Sequence, residues 1–131
     1  MANYYTEFST FIPMPGVTEE ALEKWLEDHR NDETRESDWF GCDASYDDGG
    51  LWVRSREGDV VEASELIQKA LDYFEIEGSV VFEYSFTCSK LRPGGFGGGV
   101  AVITRKESHW SSVSEIVEAF RTRFDLPPVI N

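Results

Sequence analysis

Apolar and polar side chains alternate from Tyr4 to Ile12, with Tyr4, Thr6, Phe8, Thr10 and Ile12 on one side and Tyr5, Glu7, Ser9 and Phe11 on the other. That period of two belongs to a strand, and the run PMPG that follows stops it. The spacing then changes. Leu22, Trp25, Leu26 and His29 share one helical stripe, Thr18 stands where an N-cap belongs, and Val17 and Leu22 are placed as a hydrophobic staple. This predicts a helix from about Glu19 to about Arg30. The next segment, NDETRESD, has no apolar residue and reads as solvated loop.

Alternation resumes with Phe40, Cys42, Ala44 and Tyr46, and after DDGG with Leu51, Val53 and Ser55 against Trp52, Arg54 and Arg56. Two strands joined by an Asp-Gly turn form a hairpin. Asp59 and Glu62 make a start resembling a capping box for a helix whose stripe is Ala63, Leu66, Ile67, Ala70, Leu71 and Phe74. A fourth strand carries Val80, Phe82, Tyr84, Phe86 and Cys88 on one face. A long glycine-rich loop follows, then a fifth strand through GVAVITRK. Ser112 and Glu115 open a third helix with Val113, Ile116, Val117, Phe120 and Phe124 on one face, ended by the prolines of LPP. The order β-α-β-β-α-β-β-α predicts one α+β domain over residues 1–131. It is a two-layer sandwich with an antiparallel sheet of about five strands, helices on one face and a ferredoxin-like core.

Composition narrows the function more than the fold. At 131 residues, 40% hydrophobic and 14% aromatic, the chain can bury a core unaided. Its net charge of −13 repels phosphate backbones and anionic lipid, so neither nucleic acid nor a membrane is an expected direct partner. The opening MANYYTEFST has neither the basic start nor the apolar stretch of a signal peptide, which makes a soluble cytoplasmic protein the expectation. Two cysteines in that setting are expected as free thiols. With only two histidines besides, and no CxxC or HxxxH spacing, neither a metal nor a cofactor is expected.

The charge is uneven. Between Thr18 and Asp48 stand twelve acids, Glu19, Glu20, Glu23, Glu27, Asp28, Asp32, Glu33, Glu36, Asp38, Asp43, Asp47 and Asp48, with only Lys24, Arg30 and Arg35 against them. A net −9 thus lies in less than a quarter of the chain. Such a tract is either a solvated face or a lure for a basic groove, as in a protein that competes for a nucleic-acid-binding site.

The run KLRPGGFGGG, residues 90–99, is the other irregularity. Phosphate cradles place their glycines between a strand and a helix N-terminus, whereas these lie between two strands and lack the terminal Gly-Lys-Ser/Thr. Turn punctuation accounts for Pro93-Gly94 and the later glycines. Lys90 and Arg92 beside Phe96 remain as a positive spot, so Cys88, Ser89, Lys90, Arg92, Phe96, Gly97 and Gly98 form a candidate binding loop. No catalytic set is assembled. Cys88 and Cys42 read as small core residues without a base, His29 as a packed residue and His109 as a cap or a solvent-facing group. Trp25 reads as core, while Trp52 is either core or an interaction residue beside Arg54 and Arg56.

The segment TCSKLRPGGFGGGVAVIT, with the opening MANYYTEFS, resembles an uncharacterised family of small proteins from plasmids, phages and other mobile elements. The matching residues are Cys88, Ser89, Lys90, Arg92, Pro93, Phe96, Gly97, Gly98 and Gly99. Leu91 and Gly95 replace a proline and an acid, which implies a more flexible loop. The resemblance implies a mobile-element origin and no particular catalysis. The leading expectation is a non-enzymatic accessory or inhibitor factor that binds a protein, a basic nucleic-acid-binding one among the candidates, through its acidic face. The alternatives are a small-ligand-binding or enzymatic α+β domain using residues 90–99, and a structural domain that dimerises through a sheet edge.

Overall fold

The computed structural model describes residues 4–30, 42–91 and 95–130. Along the chain run β1 (Tyr4–Pro13), α1 (Glu19–Arg30), β2 (Asp43–Asp47), β3 (Gly50–Ser55), α2 (Val60–Tyr73), β4 (Val80–Cys88), β5 (Gly97–Ile103), β6 (Ser108–Ser112) and α3 (Val113–Phe124). The architecture is α+β, with one open antiparallel sheet ordered β2-β3-β1-β4-β5-β6.

Local chemistry explains most boundaries. Thr18 Oγ1 accepts from the Ala21 amide at 3.1 Å, which caps α1 at its expected start. Asp59 Oδ1 accepts from the Val61 and Glu62 amides at 3.0 Å and caps α2, and Ser112 Oγ does the same for the Glu115 amide of α3. Asp48 and Gly49, both at positive φ, turn the β2–β3 hairpin in two residues. Met14 and Val17 close the PMPG turn through a 3.1 Å amide bond, with Gly16 at φ 80.

β1 is shared between two halves of the sheet. Tyr4 to Glu7 pair with β4, while Phe8 to Pro13 pair with β3. Its even-numbered face turns inward, so Phe8, Thr10 and Ile12 are buried while Ser9 and Phe11 are exposed. α1 and α2 lie on that inner face. Leu22, Trp25 and Leu26 of α1 and Ala63, Leu66, Ile67, Ala70 and Leu71 of α2 join Phe8, Ile12, Ala44, Leu51, Val53, Phe82, Ala101 and Ile103 in one apolar cluster. The Trp25 ring packs against His29 at 4.1 Å and against Tyr73 and Phe74 at 6.0 Å, tying the two helices together. Arg105 holds the far end of α2 by an ion pair to Asp72 at 3.0 Å, and the segment that follows the helix by one to Glu77 at 2.9 Å.

Three expectations need correction. Six strands are present among the described residues, not five, because SHWSS forms β6 on the edge beside β5, pairing Trp110 with Ala101. His109 is therefore a strand residue, exposed and 3.5 Å from the Glu107 carboxylate. Gly97, Gly98 and Gly99 are not loop but the first residues of β5, opposite Phe86, Ser85 and Tyr84. Finally, α3 has its apolar stripe but buries none of its residues. Phe40, Trp39 and the stretch NDETRESD lie outside the described residues.

Candidate functional site

The two sequence-predicted surfaces sit in different halves of the sheet. α1 packs over β2, and four strand spacings, roughly 19 Å, separate β2 from β5. The structure does not bring the acidic face and the glycine segment together.

α1 presents the acids. Leu22, Trp25 and Leu26 turn one side of the helix into the core, which leaves Glu19, Glu20, Glu27 and Asp28 exposed on the other. None of these four is ion-paired among the described residues. Glu23 behaves differently. It is half-buried, and its Oε1 accepts from the Tyr46 amide at 2.8 Å, fixing α1 to β2. Arg30 makes a second bond across the same seam, from Nη2 to the Ala44 carbonyl at 2.9 Å. The acids thus ride on a helix held by core packing and by bonds to β2. Asp43, Asp47 and Asp48 add exposed carboxylates at the hairpin, whereas Asp32, Glu33, Glu36 and Asp38 lie outside the described residues.

The glycine segment has a structural explanation. A Cβ on Gly98, whose φ is 154, would collide with the Tyr84 carbonyl, and one on Gly99 would meet the Tyr84 hydroxyl and lie 2.6 Å from the Ser111 carbonyl. A Cβ on Gly97 would meet the Phe86 ring at an ordinary 3.6 Å. The glycines are the floor beneath two aromatic rings. Gly98→Ala and Gly99→Ala should each lower stability by about 1–3 kcal/mol in urea melts, whereas Gly97→Ala should change it by less than about 1 kcal/mol. Of the remaining loop candidates, Ser89, Lys90 and Phe96 are exposed and Cys88 is half-buried opposite Tyr4. Arg92 lies outside the described residues.

The sheet face away from α1 and α2 holds a shallow open cleft of about 1070 Å³ that composition did not signal. Glu7, Ser9, Trp52, Arg54, Arg56 and Glu83 line it, above the point where β1 changes partner. Trp52 Nε1 donates to Ser9 Oγ at 2.9 Å, and the Arg54 guanidinium stacks on the Trp52 ring at 4.0 Å and donates to Ser45 Oγ at 2.8 Å. Trp52 is therefore an exposed residue stacked with a cation, not core. The cleft brings together the guanidinium groups of Arg54 and Arg56 with the carboxylates of Glu7 and Glu83, and its lining contains neither cysteine nor histidine.

Both cysteines are free thiols. Burial, then the charges of Asp43 and Glu62, push the Cys42 thiol up to about 12 against the opposing pull of Arg54, which makes it unreactive at neutral pH. His29 Nδ1 lies 2.8 Å from the Trp25 carbonyl while its ring packs on Trp25, the packed role that its stripe position indicated. Among the described residues, no group of three or more His, Cys, Asp or Glu side chains could hold a metal ion, and no helix is long and apolar enough to cross a membrane. No family model, curated protein or solved structure matches the chain.

Proposed function

We propose that this chain is a non-enzymatic protein-binding factor of a mobile element, an accessory or inhibitor that engages a basic, nucleic-acid-binding protein of the cytoplasm through the acidic face of α1. The observation that carries this reading is the row Glu19, Glu20, Glu27 and Asp28, exposed and unpaired among the described residues, on a helix anchored by Leu22, Trp25, Leu26 and Glu23. Charges held on a rigid frame lose little freedom on binding, and a concentrated field of one sign speeds encounter with an opposite one. The same field disfavours nucleic acid and anionic membranes as direct partners. We read β1 through β4, with α1 and α2, as a ferredoxin-like core, since the order β2-β3-β1-β4 fits it, extended by β5, β6 and α3.

The competing reading, a ligand loop at residues 90–99, has less support because Gly97, Gly98 and Gly99 are committed to β5. The test is capture of basic nucleic-acid-binding proteins from a host lysate by the wild type and by a variant combining Glu19→Gln, Glu20→Gln, Glu27→Gln and Asp28→Asn. The expected result is a captured protein whose affinity falls by about tenfold or more between low and high salt and is similarly reduced for the variant. Binding that ignores salt and the four substitutions would sink the proposal.

A further inference from the structure

α3 and the β4–β6 end of the sheet each lack something the other has. On α3, Val113, Val117, Phe120 and Phe124 follow one another at steps of four, three and four, a continuous seam of the kind that packs against another surface. All four are exposed, Phe120 at 54% and Phe124 at 60%. The chain beyond α3 is fastened to it: Leu126 donates its amide to the Arg121 carbonyl at 3.0 Å, and Arg121 Nε donates to the Pro127 carbonyl at 3.1 Å. Leu126, Val129 and Ile130 thereby add exposed apolar surface at the same end of the helix.

The shelf lies on the sheet face that α1 and α2 cover elsewhere. Phe82 shares a register row with Ala101 and Trp110, and Tyr84 and Phe86 continue along β4 above Gly99 and Gly97. The Tyr84 ring is 5.5 Å from Phe86 and 5.9 Å from Trp110. α1 and α2 bury Phe82 but leave Phe86 44% and Trp110 37% exposed.

We propose that the missing partner is a second copy of this chain, the α3 of each copy lying on the Tyr84, Phe86 and Trp110 shelf of the other. An aromatic side chain has about 150–250 Å² to bury, so Phe86, Trp110, Phe120 and Phe124 leave roughly 400 Å² open, and the neighbouring aliphatic residues with Phe96 bring each copy to roughly 800 Å². That is about the share each partner contributes to a stable interface of standard size. Charge opposes self-association less here than elsewhere on the chain. In a chain of net −13, α3 carries two acids, Glu115 and Glu118, and two bases, Arg121 and Arg123, so the helix adds no like-charge repulsion of its own to the contact. A basic partner finds nothing on this surface to select it, and the inference stands independently of the acidic face. The arrangement is isologous: each copy supplies one helix and one shelf.

Ultracentrifugation over a wide concentration range tests it. The wild type should sediment at twice 14.9 kDa. Phe120→Glu on the helix and Phe86→Glu on the shelf, each with an unchanged circular dichroism spectrum, should sediment as monomers. Mixing the two variants should give a heterodimer weaker than the wild-type dimer but detectable at the highest concentrations, because one of the two contacts, the intact α3 of the Phe86→Glu copy on the intact shelf of the Phe120→Glu copy, survives. A wild type that stays monomeric, or either variant that still dimerises, overturns the proposal. Two monomeric variants that, when mixed, associate no more than either does alone across the whole concentration range overturn the helix-on-shelf arrangement.

Discussion

Phe82→Ala is expected to destabilise the protein by about 3–5 kcal/mol, a large part of the roughly 5–15 kcal/mol that holds a domain of this kind folded. Phe82 is fully buried near the start of β4, an interior strand, where it joins groups from both halves of the sheet. Its ring meets Phe8 of β1 edge-on at 5.1 Å and lies 6.2 Å from both Tyr84 and Trp110. Truncation leaves a cavity that close-packed neighbours refill only in part, so the loss exceeds the transfer free energy of the ring. Val81, the preceding residue, points to the exposed face, and Val81→Ala should change stability by less than about 1 kcal/mol. Urea denaturation of both variants checks the pair. Equal effects would mean that the face assignment of β4 is wrong.

Alkaline pH should reveal Cys42. In the unfolded chain the thiol ionises near its ordinary 9.0, and in the folded protein not until about 12. Its contribution is therefore complete below pH 9. Between the two values the unfolded state has released its proton while the native state keeps it, so stability falls by about 1.4 kcal/mol per pH unit. With partial water access, the loss by pH 12 is on the order of 2–4 kcal/mol. Cys42→Ala removes this slope, so the difference between wild-type and variant denaturation curves from pH 8 to 11 isolates it from the other groups that titrate there. At pH 8 the wild-type Cys42 should also alkylate on the order of a thousandfold more slowly than an ordinary thiol. Rapid alkylation of Cys42 in the folded protein would refute the assignment.

What the residues declared in advance follows from where structure is set locally. α1, α2 and the β2–β3 turn were legible because caps, stripes and an Asp-Gly dipeptide act over three or four neighbours. β6 was not, since Ser108, Ser111 and Ser112 carry little strand preference and the segment becomes a strand only through pairing with β5. Gly97, Gly98 and Gly99 misled for a related reason. Glycine weakens a strand by itself, and only the opposing Tyr84 and Phe86 rings give these positions a use. The α3 stripe was legible, but its lack of cover depends on where α1 and α2 stop. At the acidic face, the sequence grouped Glu23 with its neighbours, and only the fold of β2 against α1 separates that bonded carboxylate from the exposed four. Trp52 beside Arg54 was legible as two positions on one strand face, whereas the Trp52 bond to Ser9 joins residues 43 positions apart, beyond the reach of any local pattern.

The position of β1 bears on how the chain is made. β1 is synthesised before both of the strands it pairs with and ends up in the interior of the sheet, yet its register partners come late: Phe8 faces Ser55, and Tyr4 faces Cys88. At roughly 5–20 residues per second, β1 waits on the order of seconds for β3 and longer for β4. Throughout that interval Phe8, Phe11 and Ile12 have no strand to pair with, and the intervening Thr6, Ser9 and Thr10 keep the segment from being a continuous apolar ribbon. The pairing of β1 is therefore complete only after β4 has been made, and its Tyr4–Cys88 partners, 84 positions apart, are the kind of distant contact that slows the folding of a complete chain.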